Sequence, residues 1–147
     1  MMIIRHRYAA KNTGLLLLRV GIGFMFILHG WPKMMGGAPR WEMIGQSMEL
    51  FGVGFAPMFW GFMAAFAETV GGLLLMLGLL FRPACFLLFI TMLVAAAKHA
   101  FGGDGFGGYS HALEAAIVFF SLLFIGPGKY SLDYNFFRSE KDRNKYR

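Results

Sequence analysis

A carboxylate, Glu68, interrupts an apolar run from Phe62 to Leu80, with Gly71 and Gly72 just behind it. Counted from Met58 at about 1.5 Å per residue, Glu68 lies about 15 Å into a helix, near the depth of a bilayer midplane. A lone charge at that depth costs about 3 kcal/mol on insertion scales, so the side chain has to be neutral, paired or turned into a wet interior. Gly61, Ala64, Glu68 and Gly72 share one stripe at helical spacing, so small residues flank the acid and a neighbouring helix has room to come close.

The rest of the chain agrees with a membrane setting. Of 147 residues, 57 % are hydrophobic and 17 % aromatic, too apolar for a soluble fold of this length and short enough for a single domain. The reading is an all-α membrane protein: a four-transmembrane-helix bundle over about 13–31, 58–80, 84–101 and 109–125, followed by a basic tail over 129–147. The net charge of +6 would suggest nucleic acid in a soluble chain. Here the cations flank apolar spans, so they read as orientation signals and contacts with an anionic lipid membrane, with no nucleic-acid partner. Cys85 is the only cysteine, which excludes an internal disulfide and a CxxC dithiol relay.

The first run, Thr13–Gly30, is too long for a signal-peptide core, contains Arg19 and lacks a cleavage site, so it reads as an uncleaved helix. Arg19, Gly23, Phe26, Gly30 and Lys33 fall on one face, expected to point into the bundle. Trp31 and Pro32 are expected to end or kink this helix at the outer interface. In the following connection Trp41, Ile44, Met48 and Phe51 oppose Glu42, Gln46 and Glu49, an amphipathic order that predicts an interfacial helix before the second span, either a lid or a space-filling element. Five glycines around Asp104 separate the third and fourth spans, and without a preceding strand or a lysine-serine pair they read as a flexible loop.

Ten of the fourteen lysines and arginines lie in the N-terminal segment, at Arg82 and from Lys129 onward. The positive-inside rule then predicts both termini on the cytoplasmic side. This topology puts His29, Lys33, Lys98, His99, His111 and Glu114 in the outer half, Glu68 near the middle and Arg19 in the inner half. Glu68 is expected to pair with Arg19, in a structural role, or with a histidine or lysine of the outer group, where it could exchange protons. At the inner surface Asp133 is expected to meet Arg82, the alternative being Ser131 or Asp133 capping a short tail helix.

The arginine of the first helix, H-G-W-P-K over His29 to Lys33, E-x-x-G-G over Glu68 to Gly72, R-P at Arg82 and Pro83, and G-P-G-x-x-S-L-D over Gly126 to Asp133 together resemble the DoxX family of small four-helix membrane proteins. The resemblance covers nearly the whole chain apart from the termini. That family takes its name from a subunit associated with thiosulfate:quinone oxidoreductase. The resemblance implies a multi-pass protein of the bacterial cytoplasmic (inner) membrane, redox-associated, with quinone as the cofactor and a soluble redox enzyme subunit as partner. In that reading Glu68, His29, His99 and Glu114 handle protons, while Arg19, Lys33, Lys98 and His111 hold the cofactor. Metal binding by the histidines and carboxylates is chemically available, but no pair has the spacing of a metal motif. A non-catalytic scaffold for a soluble partner, a small transporter or proton conduit, and a homo-oligomer stay open.

The topology is testable directly. A reporter fused after Gly103 should read out on the outer side and one after Ser139 on the cytoplasmic side; a cytoplasmic signal from the glycine-rich loop contradicts the four-span arrangement.

Overall fold

The computed structural model describes residues 2–137, with side chains from Ala10 to Phe136. The side chains of Arg5 and Arg7 and the basic tail beyond residue 137 lie outside the described residues. The described chain is all-helical: α1 (Met2–Met35), α2 (Gly37–Gly45), a 3-10 turn (Gln46–Phe51), α3 (Pro57–Phe66), one π-helical turn (Ala67–Gly71), α4 (Gly72–Leu77), α5 (Phe81–Phe101), α6 (Gly105–Ile125) and α7 (Leu132–Phe137). Four stretches are long and apolar enough to cross a membrane: Ala10–Met35, Pro57–Leu77, Phe81–Phe101 and Gly105–Ile125. The second of these is α3, the π turn and α4 run together.

In lipid the apolar effect gives little drive for helices to associate, so close van der Waals packing must hold the bundle. Glycines provide it. A Cβ on Gly23 would stand 2.6 Å from the Gly72 carbonyl oxygen, and one on Gly30 2.6 Å from the Thr69 nitrogen. The inward face of α1 expected from the sequence is therefore the seam with the second span: Arg19, Gly23 and Gly30 are buried, and Phe26 and Lys33 partly so. On the other side of that span α5 and α6 form a long hairpin. Leu75, Phe81, Cys85, Leu88, Met92, Phe119 and Leu122 make the core, and Phe26 reaches it edge-to-face on Phe119, with ring centroids 4.8 Å apart.

Helix α1 does not stop at Trp31 and Pro32. It runs through the proline to Met35, because a proline removes one hydrogen bond from a helix otherwise held by its neighbours. The break comes at Gly36 and Gly37, the latter at φ +67°, a conformation glycine adopts without strain.

The amphipathic helix expected along the interface over Trp41 to Phe51 is divided: α2 carries Trp41 and Ile44 and ends at Gly45, a 3-10 turn carries Met48 and an exposed Phe51, and α2 packs on α3. Helix α2 continues distally from α1 and stands antiparallel beside the first turns of α3. A Cβ on Gly61 would lie 1.7 Å from the Trp41 carbonyl oxygen, and one on Gly45 1.7 Å from that of Pro57. Along the second span the neighbours thus run in order from Gly45 and Trp41 to Gly30 and Gly23. Gly30 lies level with Glu68, so Trp31 is well inside the span and not at its edge.

This seam makes a sharp stability prediction. Gly23→Leu, which overpacks a backbone contact, should cost several kcal/mol and abolish folded protein in the membrane. Gly14→Ala, at a position with nothing within 4 Å, should leave yield and melting temperature unchanged. Equal tolerance of both, measured by fluorescence-detected chromatography, contradicts the glycine seam.

Candidate functional site

The close approach at Gly30 sets the site. A Cβ there would lie 2.8 Å from the Cβ of Glu68, so α1 passes against the acid's own backbone. Lys33, three residues on and on the same face, then reaches the carboxylate. Its Nζ donates to Glu68 Oε1 at 2.7 Å and Oε2 at 2.6 Å. The Glu68 side chain is 3 % exposed and that of Lys33 30 %, so the pair is sealed on the acid's side and open on the base's. Lys33 also lies in the last turn of α1, where unpaired carbonyls favour a cation.

Two further features fix the geometry. Trp41 Nε1 donates to the Lys33 carbonyl at 3.0 Å, satisfying one of the carbonyls that a helix end leaves free and fastening α2 to the lysine. The Trp41 ring meets Phe62 edge-to-face at 5.0 Å, and Phe66 follows at 6.1 Å from Phe62. Glu68 itself sits in the π turn, where Thr69 Oγ1 donates to the Ala65 carbonyl at 2.8 Å. Such turns insert one extra residue into a helix and occur often at functional sites.

Arg19 is not the partner of Glu68. It lies eleven residues before Gly30 in sequence, about 16 Å down the helix, at the end of the bundle that carries the described ends of the chain. Buried there, it donates to the carbonyls of Pro127, at 2.9 Å, and Tyr130, while its Nε has no acceptor. Gly78, at φ +65°, leaves room for this guanidinium, since a Cβ there would fall 2.3 Å from its Nη1.

Asp133 does not pair with Arg82, which is exposed. Its two carboxylate oxygens accept from the backbone N–H groups of Leu80 and Phe81, each at 2.9 Å, filling donors that the first turn of α5 leaves free. The Gly126–Asp133 turn is thereby tied to the α4–α5 hairpin through the backbone. Ser131 meanwhile caps α7, its Oγ accepting from Tyr134 N–H at 3.1 Å.

The remaining candidates do not join Lys33 and Glu68. His29 is exposed on α1. Lys98 borders an open cavity of about 330 Å³ at the distal end, with Met43, Gln46, Ser47, Leu50 and Phe101. His99 Nδ1 lies 2.6 Å from Asp104 Oδ2 in the glycine-rich loop. His111 and Glu114 face outward from α6, 3.9 Å apart. Among the described residues no three His, Cys, Asp or Glu side chains converge as a metal site would require. Sequence reasoning missed Trp41 as a partner of Lys33, the π turn, and the carbonyls of the Gly-Pro-Gly turn as the partners of Arg19. Only the last had a visible signal, an arginine and a helix-breaking turn predicted at the same end.

Fold and site together define a polytopic membrane protein of four helical spans with a lysine-glutamate pair buried on its acid side. Comparison with known proteins agrees, and the chain belongs to the DoxX family, whose profile matches residues 14–100. It is 32 % identical over 133 residues to the inner membrane protein YphA of Escherichia coli K12, covering 85 % of this chain and 91 % of that one. It is 32 % identical to the inner membrane protein YqjF of the same organism, covering 84 % and 92 %, and 31 % identical to the uncharacterized membrane protein Rv3486 of Mycobacterium tuberculosis, covering 86 % and 83 %. No solved structure matches the chain.

Proposed function

We propose that the protein is a redox-associated subunit of the bacterial inner membrane, with both termini cytoplasmic, in which the Lys33–Glu68 pair holds the polar edge of a quinone that enters from the lipid. One observation carries this reading. The Lys33 ammonium has three N–H donors and spends two on Glu68, while its side chain remains 30 % exposed, so a further acceptor such as a ring carbonyl has a charged donor to meet. A bound quinone would supply the capacity to take up two electrons and two protons, the electrons coming from an associated soluble redox enzyme.

The chain's own residues supply orientation and proton handling. Trp41, Phe62 and Phe66 put aromatic surface next to the pair, suited to a flat ring. Glu68 keeps the ammonium in place by two charge-assisted bonds and is the base to which a lysine proton can pass. The histidines leave this reading: His29, His99 and His111 have no place at the pair, and proton handling rests on Lys33 and Glu68 alone.

Removing one partner of a buried ion pair strands the other, at about 3–5 kcal/mol, whereas replacing both by apolar residues of similar volume is often tolerated. The informative variant is therefore Lys33→Met with Glu68→Met. It should reach the membrane at normal yield and, in nanodiscs, bind ubiquinone or menaquinone about 10- to 100-fold more weakly than the parent, as loss of a charge-assisted hydrogen bond implies. Unchanged quinone affinity overturns the ligand reading. Proton flux into liposomes that the double variant abolishes, without any quinone binding by the parent, would replace it with a conduit.

A further inference from the structure

The open cavity of about 330 Å³ at the distal end takes no part in the Lys33–Glu68 site. Two elements wall it. Gln46, Ser47 and Leu50 come from the 3-10 turn, with Met43 just before them on α2, and Lys98, Phe101 and Gly102 come from the end of α5. No carboxylate lines it, and Glu49 of the same turn is exposed outside the lining. Lys98 is exposed and makes no ion pair among the described residues. Ser47 is only 9 % exposed, yet its side chain makes no hydrogen bond among the described residues. A buried hydroxyl without a partner is costly, and this one borders a cavity large enough to take a ligand group. The apolar members of the lining, Met43, Leu50 and Phe101, are all exposed, so the cavity has a polar floor and an apolar rim.

We infer that this cavity binds the phosphate head of an anionic membrane lipid, a phosphodiester with no ammonium group of its own, whose acyl chains lie against the apolar rim. Charge selects the head. Lys98 offers an ammonium, Ser47 a hydroxyl and Gln46 an amide, all able to donate to phosphate oxygens. A zwitterionic head would bring its ammonium to a lining that already holds a cation and has no carboxylate to receive another. Depth selects a lipid over free phosphate. Lys98 lies three residues before the end of α5, about 4.5 Å along the axis, the level from which long cationic side chains reach the head-group layer. The rim of Met43, Leu50 and Phe101 gives an ion without chains nothing to bury. Basic pockets between membrane-spanning elements bind anionic head groups in this way. The inference stands apart from the quinone reading and survives its failure.

Native mass spectrometry of the full-length protein in mild detergent, titrated with phosphatidylglycerol or phosphatidylethanolamine of identical chains, tests it. The parent should bind phosphatidylglycerol about 10-fold more tightly than the ethanolamine lipid. Lys98→Gln should lower that affinity about 10-fold and Ser47→Ala about 3-fold, as loss of a charged and of a neutral hydrogen bond implies. Arg40→Gln removes an exposed cation outside the cavity lining and should leave the affinity unchanged. Inorganic phosphate in large excess should not displace the lipid. Equal binding of the two lipids by the parent, or an Arg40→Gln variant weakened as much as Lys98→Gln, reduces the contact to general surface attraction and overturns the inference. Displacement by inorganic phosphate overturns it in favour of a free-anion site. Should a variant fail to fold, a photoreactive phosphatidylglycerol decides on the parent: it should label residues 43–50 and 98–102, and labelling confined to other segments overturns the assignment.

Discussion

A carboxylate at half the depth of an apolar bundle has few ways to persist, and the two short bonds from Lys33 to Glu68 are the one this chain uses. Much of the architecture follows from bringing those side chains together. For Lys33 to reach Glu68, α1 must pass against the acid's backbone, which only a glycine at position 30 permits. For the lysine to sit at a helix end that favours it, α1 must run past Pro32 and stop at Gly36 and Gly37, and the chain must then resume distally as α2. Trp41 closes this arrangement by binding the Lys33 carbonyl. The result is a first crossing broken beside the pair and a second crossing underwound by one π turn at the acid. Two irregular helices thus meet at the same place, the arrangement in which membrane proteins tolerate irregular backbone because it is buried in protein.

The opposite end solves a different problem with neutral partners. Arg19 is buried on two carbonyls of the Gly126–Asp133 turn, and Asp133 of the same turn accepts from two amides at the start of α5. One charge of each sign therefore stitches α1, the α4–α5 hairpin and the segment after α6, with helix-end and turn groups doing the neutralising. Removing either charge would leave its backbone groups without those partners, so each charge helps to hold the turn in place. The distal half holds the open side of Lys33 and the short α2.

The four helices were legible because hydropathy and length report spans whatever the partners are. The inward face of α1 was legible too, since Arg19, Gly23, Gly30 and Lys33 recur at helical spacing, and so was the burial of Glu68. Its partner was not. Arg19 and Lys33 lie on one face, and only the register between α1 and the second span, set by Gly30 against Thr69, decides which of them meets the acid. The π turn left no trace in the sequence because it arises from tertiary packing over small residues. Arg82 was the obvious mate for Asp133 by charge, yet the unpaired amides at a helix start are fixed in direction, whereas an arginine at a surface gains as much from water. The outer histidines looked like a cluster in a depth count. Depth alone says nothing about which side of a helix faces inward, and His111 faces out.

The central claim is that Lys33, and no other cation, holds Glu68 in the membrane. Solid-state NMR on protein in lipid bilayers, with ¹⁵N at lysine Nζ and ¹³C at glutamate Cδ, measures that contact through their dipolar coupling. The account predicts one strong lysine-glutamate coupling that disappears in the Lys33→Met, Glu68→Met variant. A Glu68 carboxyl that shows no coupling to any lysine, or couples instead to a labelled arginine, would contradict it.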